Sequence, residues 1–266
     1  MLLVIDVETS GLRPEEGHTV VELAAVALHP QTVFGDWAGG GPWLLGLDHF
    51  STLVAPGRRL SPEAQAIHHL RDEELRCAPH LPQAINALLR HAGVRVGTLD
   101  GAPLDLTGGF PPNPLVFAAH NAQFDRAFIE PLLPPAKWLC TYRLSCHLYS
   151  NAPSHSNQTL RYYLGLDVEV RAALPSQTLQ PHRALYDAIS TAVLLKHMLA
   201  THTLDDLRVL QDQPVLQRTI RFGKYRNQLW SEVPRDYLQY VLRQNGPTGF
   251  DADVLHTANH YLNGGA

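Results

Sequence analysis

Two acids, Asp6 and Glu8, stand two apart at the end of the β-branched run 2–7. In an extended strand, residues two apart share a face. Both acids therefore lie on the face that carries Leu2 and Val4. That face turns from apolar to acidic at the strand's C-terminal end, the end that lines ligand crevices in open α/β sheets. Two like charges there repel, and burying either one unpaired is costly. Divalent cations relieve both problems. A solvated strand end with two surface acids is the competing reading of this pair taken by itself.

Two further acids occupy core-facing stripes of expected helices. Asp125 shares a stripe with Phe128, Ile129 and Leu132 at i+3, i+4 and i+7. Asp187 does the same with Ser190, Thr191, Leu194 and Met198. A buried Asp can also cap a helix or pair with Arg, but Arg126 and Arg183 point elsewhere on their helices. Four acids from three separate elements make a hard-oxygen cage suited to Mg²⁺ or Mn²⁺. Cys140, Cys146 and His147 lack structural-zinc spacing, and the chain holds no H-E-x-x-H run.

These residues carry a resemblance. Val4-Ile5-Asp6-Val7-Glu8-Thr9-Ser10-Gly11-Leu12 resembles the first motif of the DEDD-type 3′–5′ exonucleases. Ala119-His120-Asn121-Ala122-Gln123-Phe124-Asp125 resembles the second, and His182-Arg183-Ala184-Leu185-Tyr186-Asp187 the third in its His-bearing (DEDDh) form. Trp138-Leu139-Cys140-Thr141, the run 160–166 and Arg221-Phe222-Gly223-Lys224-Tyr225-Arg226 narrow the similarity to the bacterial exodeoxyribonuclease X group. The likeness spans nearly the whole chain and departs at 35–46 and 93–114, which read as insertions.

The resemblance implies a ribonuclease H-like fold and removal of nucleoside monophosphates from DNA 3′ ends by a two-metal mechanism. Asp6 would bridge two Mg²⁺ or Mn²⁺ ions, with Glu8, Asp125 and Asp187 completing their shells. His182 stands five before Asp187, the wrong spacing for one helical face, so it belongs to the loop entering the helix. An imidazole titrating near neutrality suits a general base there. By the same resemblance the Thr9 backbone would hold the 3′ end and Leu12 would wedge against the terminal base. Asn121, Phe124 and His68 are the other substrate contacts it suggests, with core packing as the alternative for Phe124 and His68. Trp37 and Trp43 are candidates for stacking on unpaired bases. The implied partner is DNA with single-stranded or overhanging 3′ ends. An exoribonuclease on the same fold and a polymerase-associated proofreading subunit are the alternatives. An aspartyl-phosphate hydrolase is disfavoured, because Glu8 stands where its motif needs Asp.

The elements that must position these residues read as α/β. Strands are expected at 2–7, 20–28, 50–54, 115–119 and 138–141. Helices are expected from Ser61, and over 81–91, 122–132, 142–149, 158–164 and 183–200. Strands first and then strands alternating with helices predict a mixed sheet flanked by helices. Residues 35–46 and 93–114, rich in Gly and Pro, read as loop excursions.

At 266 residues with 45% hydrophobic and 17% charged side chains, the chain can bury a sizeable core without staples. Three cysteines and no basic leader point to a reducing cytoplasm, and no apolar run is long enough to span a membrane. A net charge of −4 excludes bulk electrostatic coating of nucleic acid. Nucleic-acid contact must be local. Residues 218–235 carry five bases against one acid, so the chain is expected to divide into an exonuclease domain, 1–213, and a small basic domain, 214–266. Arg221, Lys224 and Arg226 are its candidate phosphate contacts.

Overall fold

The computed structural model describes residues 2–31, 43–94, 96–99, 102–105, 115–176, 179–244 and 249–265. The chain forms two compact units, one of Met1–Tyr142 with Ser156–Leu204 and one of Arg143–His155 with Asp205–Ala266.

The first unit is built on a five-stranded mixed sheet. Its strands are β1 (Leu2–Thr9), β2 (Val20–Pro30), β3 (Trp43–Leu53), β6 (Val116–Ala119) and β7 (Lys137–Cys140), in the order β3-β2-β1-β6-β7. The β1–β2 and β2–β3 pairs are antiparallel, and the β1–β6 and β6–β7 pairs are parallel. This is the expected mixed sheet.

Strand β1 is central and buried on both faces. Leu3, Ile5 and Val7 join a core with Ala84, Ile85, Leu88 and Leu89 of one helix and Phe128 and Ile129 of another. Period-two alternation sends Leu2, Val4, Asp6 and Glu8 to the opposite face. The helices of this unit are α1 (Pro62–His68), α2 (Asp72–Leu75), α3 (Leu81–His91), α4 (Ala122–Ile129), α6 (Asn157–Tyr163), α7 (Asp167–Ala173) and α8 (Ala184–Leu199), while α5 (Thr141–Leu148) and α9 (Leu204–Gln211) fall almost wholly in the second. Helix α8 packs across β1, β2 and β3. It is apolar on most sides because sheet and helices α6 and α7 surround it.

Several elements differ from the sequence expectation for local physical reasons. The strand expected at 50–54 starts at Trp43, because pairing with β2 carries it back into the Gly-rich stretch. The loop expected at 93–114 contains a hairpin of β4 (Val96–Leu99) and β5 (Ala102–Asp105). The helix expected over 122–132 ends at Ile129 and continues as a tighter 3-10 turn, Glu130–Leu132. Pro131 lacks the N–H that another α turn would use. Trp37 and most of the 35–46 excursion lie outside the described residues, while Trp43 opens β3 opposite Pro30.

The second unit has its own core: Ile220, Trp230, Val233, Leu238, Val241, Val254 and Ala258. Helices α10 (Arg235–Arg243) and α11 (Ala252–Leu262) supply most of it. Arg143 ties this unit together, donating to both carboxylate oxygens of Asp253 and to the Gln211 and Gln213 carbonyls. Among the described residues no helix is long and apolar enough to cross a membrane.

Candidate active site

The acids of the first unit meet where β1 outruns its parallel partner. Strand β6 pairs with β1 only as far as Val4 opposite Ala118. The Val7 N–H beyond that point needs another acceptor, and Asp125 Oδ1 takes it at 3.2 Å. Asp125 sits in the first turn of α4 and is only 3% exposed. Asp187 occupies the first turn of α8. Its Oδ2 accepts the His182 backbone N–H at 2.8 Å and its Oδ1 accepts Gln158 Nε2 at 3.3 Å.

Asp6, Glu8, Asp125 and Asp187 lie near enough for the Asp6 carboxyl to feel repulsion from each of the other three. Burial pushes the Asp6 carboxyl well above its ordinary range, reinforced by repulsion from Asp125, Asp187, Glu8 and Glu22. Burial pushes Glu8 up to about 8, again with Asp187, Glu22 and Asp125 adding to the rise. Asp125 is pushed up to about 8 by burial, against the pull of its backbone hydrogen bonds. Asp187 is raised by burial despite the His182 N–H that stabilises its charge. Four carboxyls that resist ionising together are a donor set for divalent cations, which favour oxygen ligands and supply the missing positive charge. One oxygen each from Glu8 and Asp187 and a ring nitrogen of His182 lie within 4.8 Å of one another. The donor set therefore fits a hard cation, with the His182 ring at its rim.

Local backbone strain marks the same place. Four described non-glycine residues have positive φ, and two of them, Asn121 at 68° and His182 at 63°, immediately precede the turns that carry Asp125 and Asp187. Such conformations persist only where the surroundings hold them. The His182 side chain is exposed, as a base that must reach a solvent-borne nucleophile requires. A third constraint sits at the end of β1. A Cβ on Gly11 would collide with the His18 ring, while Ser10 Oγ accepts the Thr19 N–H and lies 3.4 Å from His18 Nδ1.

The other sequence candidates fall in different settings. Leu12 is 77% exposed. Thr9 Oγ1 donates to the Gly11 carbonyl at 2.7 Å, leaving its backbone at the strand end. Asn121 is exposed at the head of α4. Phe124 packs against Phe128 and the edge of the main core, so much of its ring is structural. For His68 the surroundings are those of the packing alternative. It is 1% exposed, its Nδ1 accepts the Leu70 N–H, and it feels the charges of Glu22 and Arg183. Arg221, Lys224 and Arg226 belong to the second unit and are exposed. The aromatics among them are core: Trp230 is 0% exposed, with Tyr225 and Tyr237 packed against its cluster.

Sequence reasoning missed Glu22. It reads as one polar residue in an apolar strand, yet it lies directly opposite Glu8 in the β1–β2 register and is 3% exposed. Arg183 Nη2 and Nε donate to its two oxygens at 2.7 and 3.0 Å, and the Ala184 N–H donates at 3.0 Å. The antiparallel register of β1 and β2 is the signal that would have exposed it.

A family model described as "Exonuclease" matches residues 3–107, a span that includes Asp6, Glu8 and His68 but stops short of the later acids. Exodeoxyribonuclease 10 of Escherichia coli strain K12 is 28% identical over 267 residues, covering 98% of this chain and 99% of that protein. Ribonuclease T of Yersinia pseudotuberculosis is 30% identical over 199 residues, covering 72% and 81% respectively. A solved structure of exonuclease X in complex with 5′ overhanging duplex DNA superposes with a TM-score of 0.53 at 28% identity, covering 79% of this chain and 99% of that one.

Proposed function

The chain belongs to the DEDDh family of 3′–5′ exonucleases, and from that premise we propose that it trims DNA from 3′ ends, one nucleoside monophosphate at a time, with two Mg²⁺ or Mn²⁺ ions. The observation that carries this reading is the convergence of Asp6, Glu8, Asp125 and Asp187 beside an exposed His182. Those four carboxylates would hold the ions. When bound, such ions supply charge stabilisation at the phosphoryl oxygens and a more acidic nucleophilic water.

The chain's own residues account for the rest. His182 takes the proton of the water that attacks phosphorus, and its position on the strained turn before α8 lets the ring move over the site while Asp187 keeps the turn fixed. Val7 N–H and Gln158 hold Asp125 and Asp187 in place. The Thr9 backbone would receive the terminal 3′-hydroxyl, with Leu12 projecting against the last base and Asn121 and Phe124 against the sugar and base. Arg221, Lys224 and Arg226, in the basic C-terminal domain 214–266, would add phosphate contacts that the acidic net charge does not supply. A cytoplasmic location suits the three free cysteines.

RNA is the second substrate reading, favoured by the similarity to a ribonuclease T. Matched end-labelled DNA and RNA oligomers, single-stranded, duplex and overhanging, digested side by side, test both. Faster loss of DNA 3′ ends supports the first reading, and faster loss of RNA the second.

A further inference from the structure

Glu8 and Glu22 face each other across adjacent antiparallel strands, an arrangement that is destabilising for like charges. The fold answers with Arg183, whose planar guanidinium engages both Glu22 oxygens side-on at 2.7 and 3.0 Å. The same carboxylate accepts the Ala184 N–H, the first amide of α8. Helix α8 has no side-chain cap of its own, because its N-cap residue is Arg183. Glu22 thus caps the helix from β2, where a negative charge also suits the helix dipole.

Residues 182–187 are therefore fixed from two sides. Glu22 holds the Arg183 side chain and the Ala184 backbone, and Asp187 holds the His182 backbone. His182 occupies its left-handed conformation between these anchors. We propose that Glu22 and Arg183 form a positioning clamp that sets the His182 turn for catalysis, acting through His182 without touching substrate. The inference rests on His182 serving as the general base. A bidentate pair tolerates little displacement, and small misplacements of a catalytic group cost rate steeply.

A double-mutant cycle on the full chain tests the clamp. Glu22→Gln keeps the shape and removes the charge. Arg183→Lys keeps the charge and removes the fork. Each is measured alone and combined with His182→Ala, reading kcat and KM on a 5′-labelled oligonucleotide well below every variant's Tm. In the native background each clamp substitution should lower kcat by roughly ten- to a hundred-fold, with KM changed by no more than about three-fold. In the His182→Ala background the same substitutions should cost less than about two-fold, because the group they position is gone. Equal losses in both backgrounds, or a folded Arg183→Lys with native kcat, would overturn the clamp. Should Glu22→Gln fail to fold, Arg183→Lys carries the cycle alone. A native protein that does not trim 3′ ends defeats the functional reading itself, and is distinguishable because no variant is needed to see it.

Discussion

At Asp6 four neighbouring carboxylates all add to the penalty of burial. The folded protein consequently keeps protons on these acids that the unfolded chain has already released. The stability those protons supply is whole below the ordinary carboxylate range and is lost as pH rises towards about 8, where Glu8 and Asp125 ionise. Metal-free Tm should fall as pH rises through that window. Added Mn²⁺ should raise Tm more at the alkaline end than at the acid end. Asp6→Asn removes one of the crowded charges, so it should raise metal-free Tm at the alkaline end, abolish turnover and erase the Mn²⁺ effect. Scanning calorimetry across pH reads all of these except turnover, and a flat metal-free profile would contradict the cluster's electrostatics. His182→Ala separates the base from the acids. Turnover should drop by roughly 10²–10⁴, while Mn²⁺ binding measured by titration calorimetry stays near native, since the Asp187 contact uses the residue's backbone. Loss of the cation site would make His182 a ligand, which its ring's closeness to Glu8 and Asp187 permits.

Among the elements, the end of β1 is the most tightly specified. Gly11 lies against the His18 ring with no room for a Cβ. Gly11→Ala should destabilise by about 1–3 kcal/mol, the usual range for overpacking, and His18→Ala in the same chain should recover much of the loss. Thermal melts of the two variants check this, and an unchanged Tm in Gly11→Ala would show that the ring moves aside freely. How legible such features were depends on their range. Asp125 with Phe128 and Ile129, and Asp187 with Ser190 and Thr191, follow from i+3 and i+4 spacing, and all of these residues are buried or half-buried as that spacing requires. Helix α7 was not legible, because Val168 is exposed and only Val170 is fully buried, so no apolar stripe shows. Glu22 was not legible either. Its partner Arg183 is 161 residues away, and only strand register and tertiary contact bring them together.

For the whole molecule, Trp230, Tyr225 and Tyr237 proved to belong to the second unit's core, while Arg221, Lys224 and Arg226 are exposed. Interleaved aromatic and basic residues cannot by themselves tell a stacking surface from a small core with a solvated rim, and burial decides it at Trp230. Phosphate contact by Arg221, Lys224 and Arg226 is the role proposed for these exposed side chains. Replacing Arg221, Lys224 and Arg226 with Ala should flatten the salt dependence of DNA affinity by up to about three phosphates' worth, leaving kcat near native. Substitution is preferable to truncation because it spares the Arg143–Asp253 pair. Fluorescence anisotropy in Ca²⁺ across a salt series measures the slope, and an unchanged slope would return the segment to a structural role. The sheet order was less legible than the strands themselves, since strand pairing depends on contacts between distant segments. A metal-dependent exonuclease working from the 3′ end leaves its signature when a 5′-labelled single-stranded oligonucleotide is digested with and without Mg²⁺. The ladder should shorten one nucleotide at a time in Mg²⁺, stop in EDTA, and be absent with Asp187→Ala. A ladder that persists in EDTA, or release of the 5′ label as the first product, would contradict it.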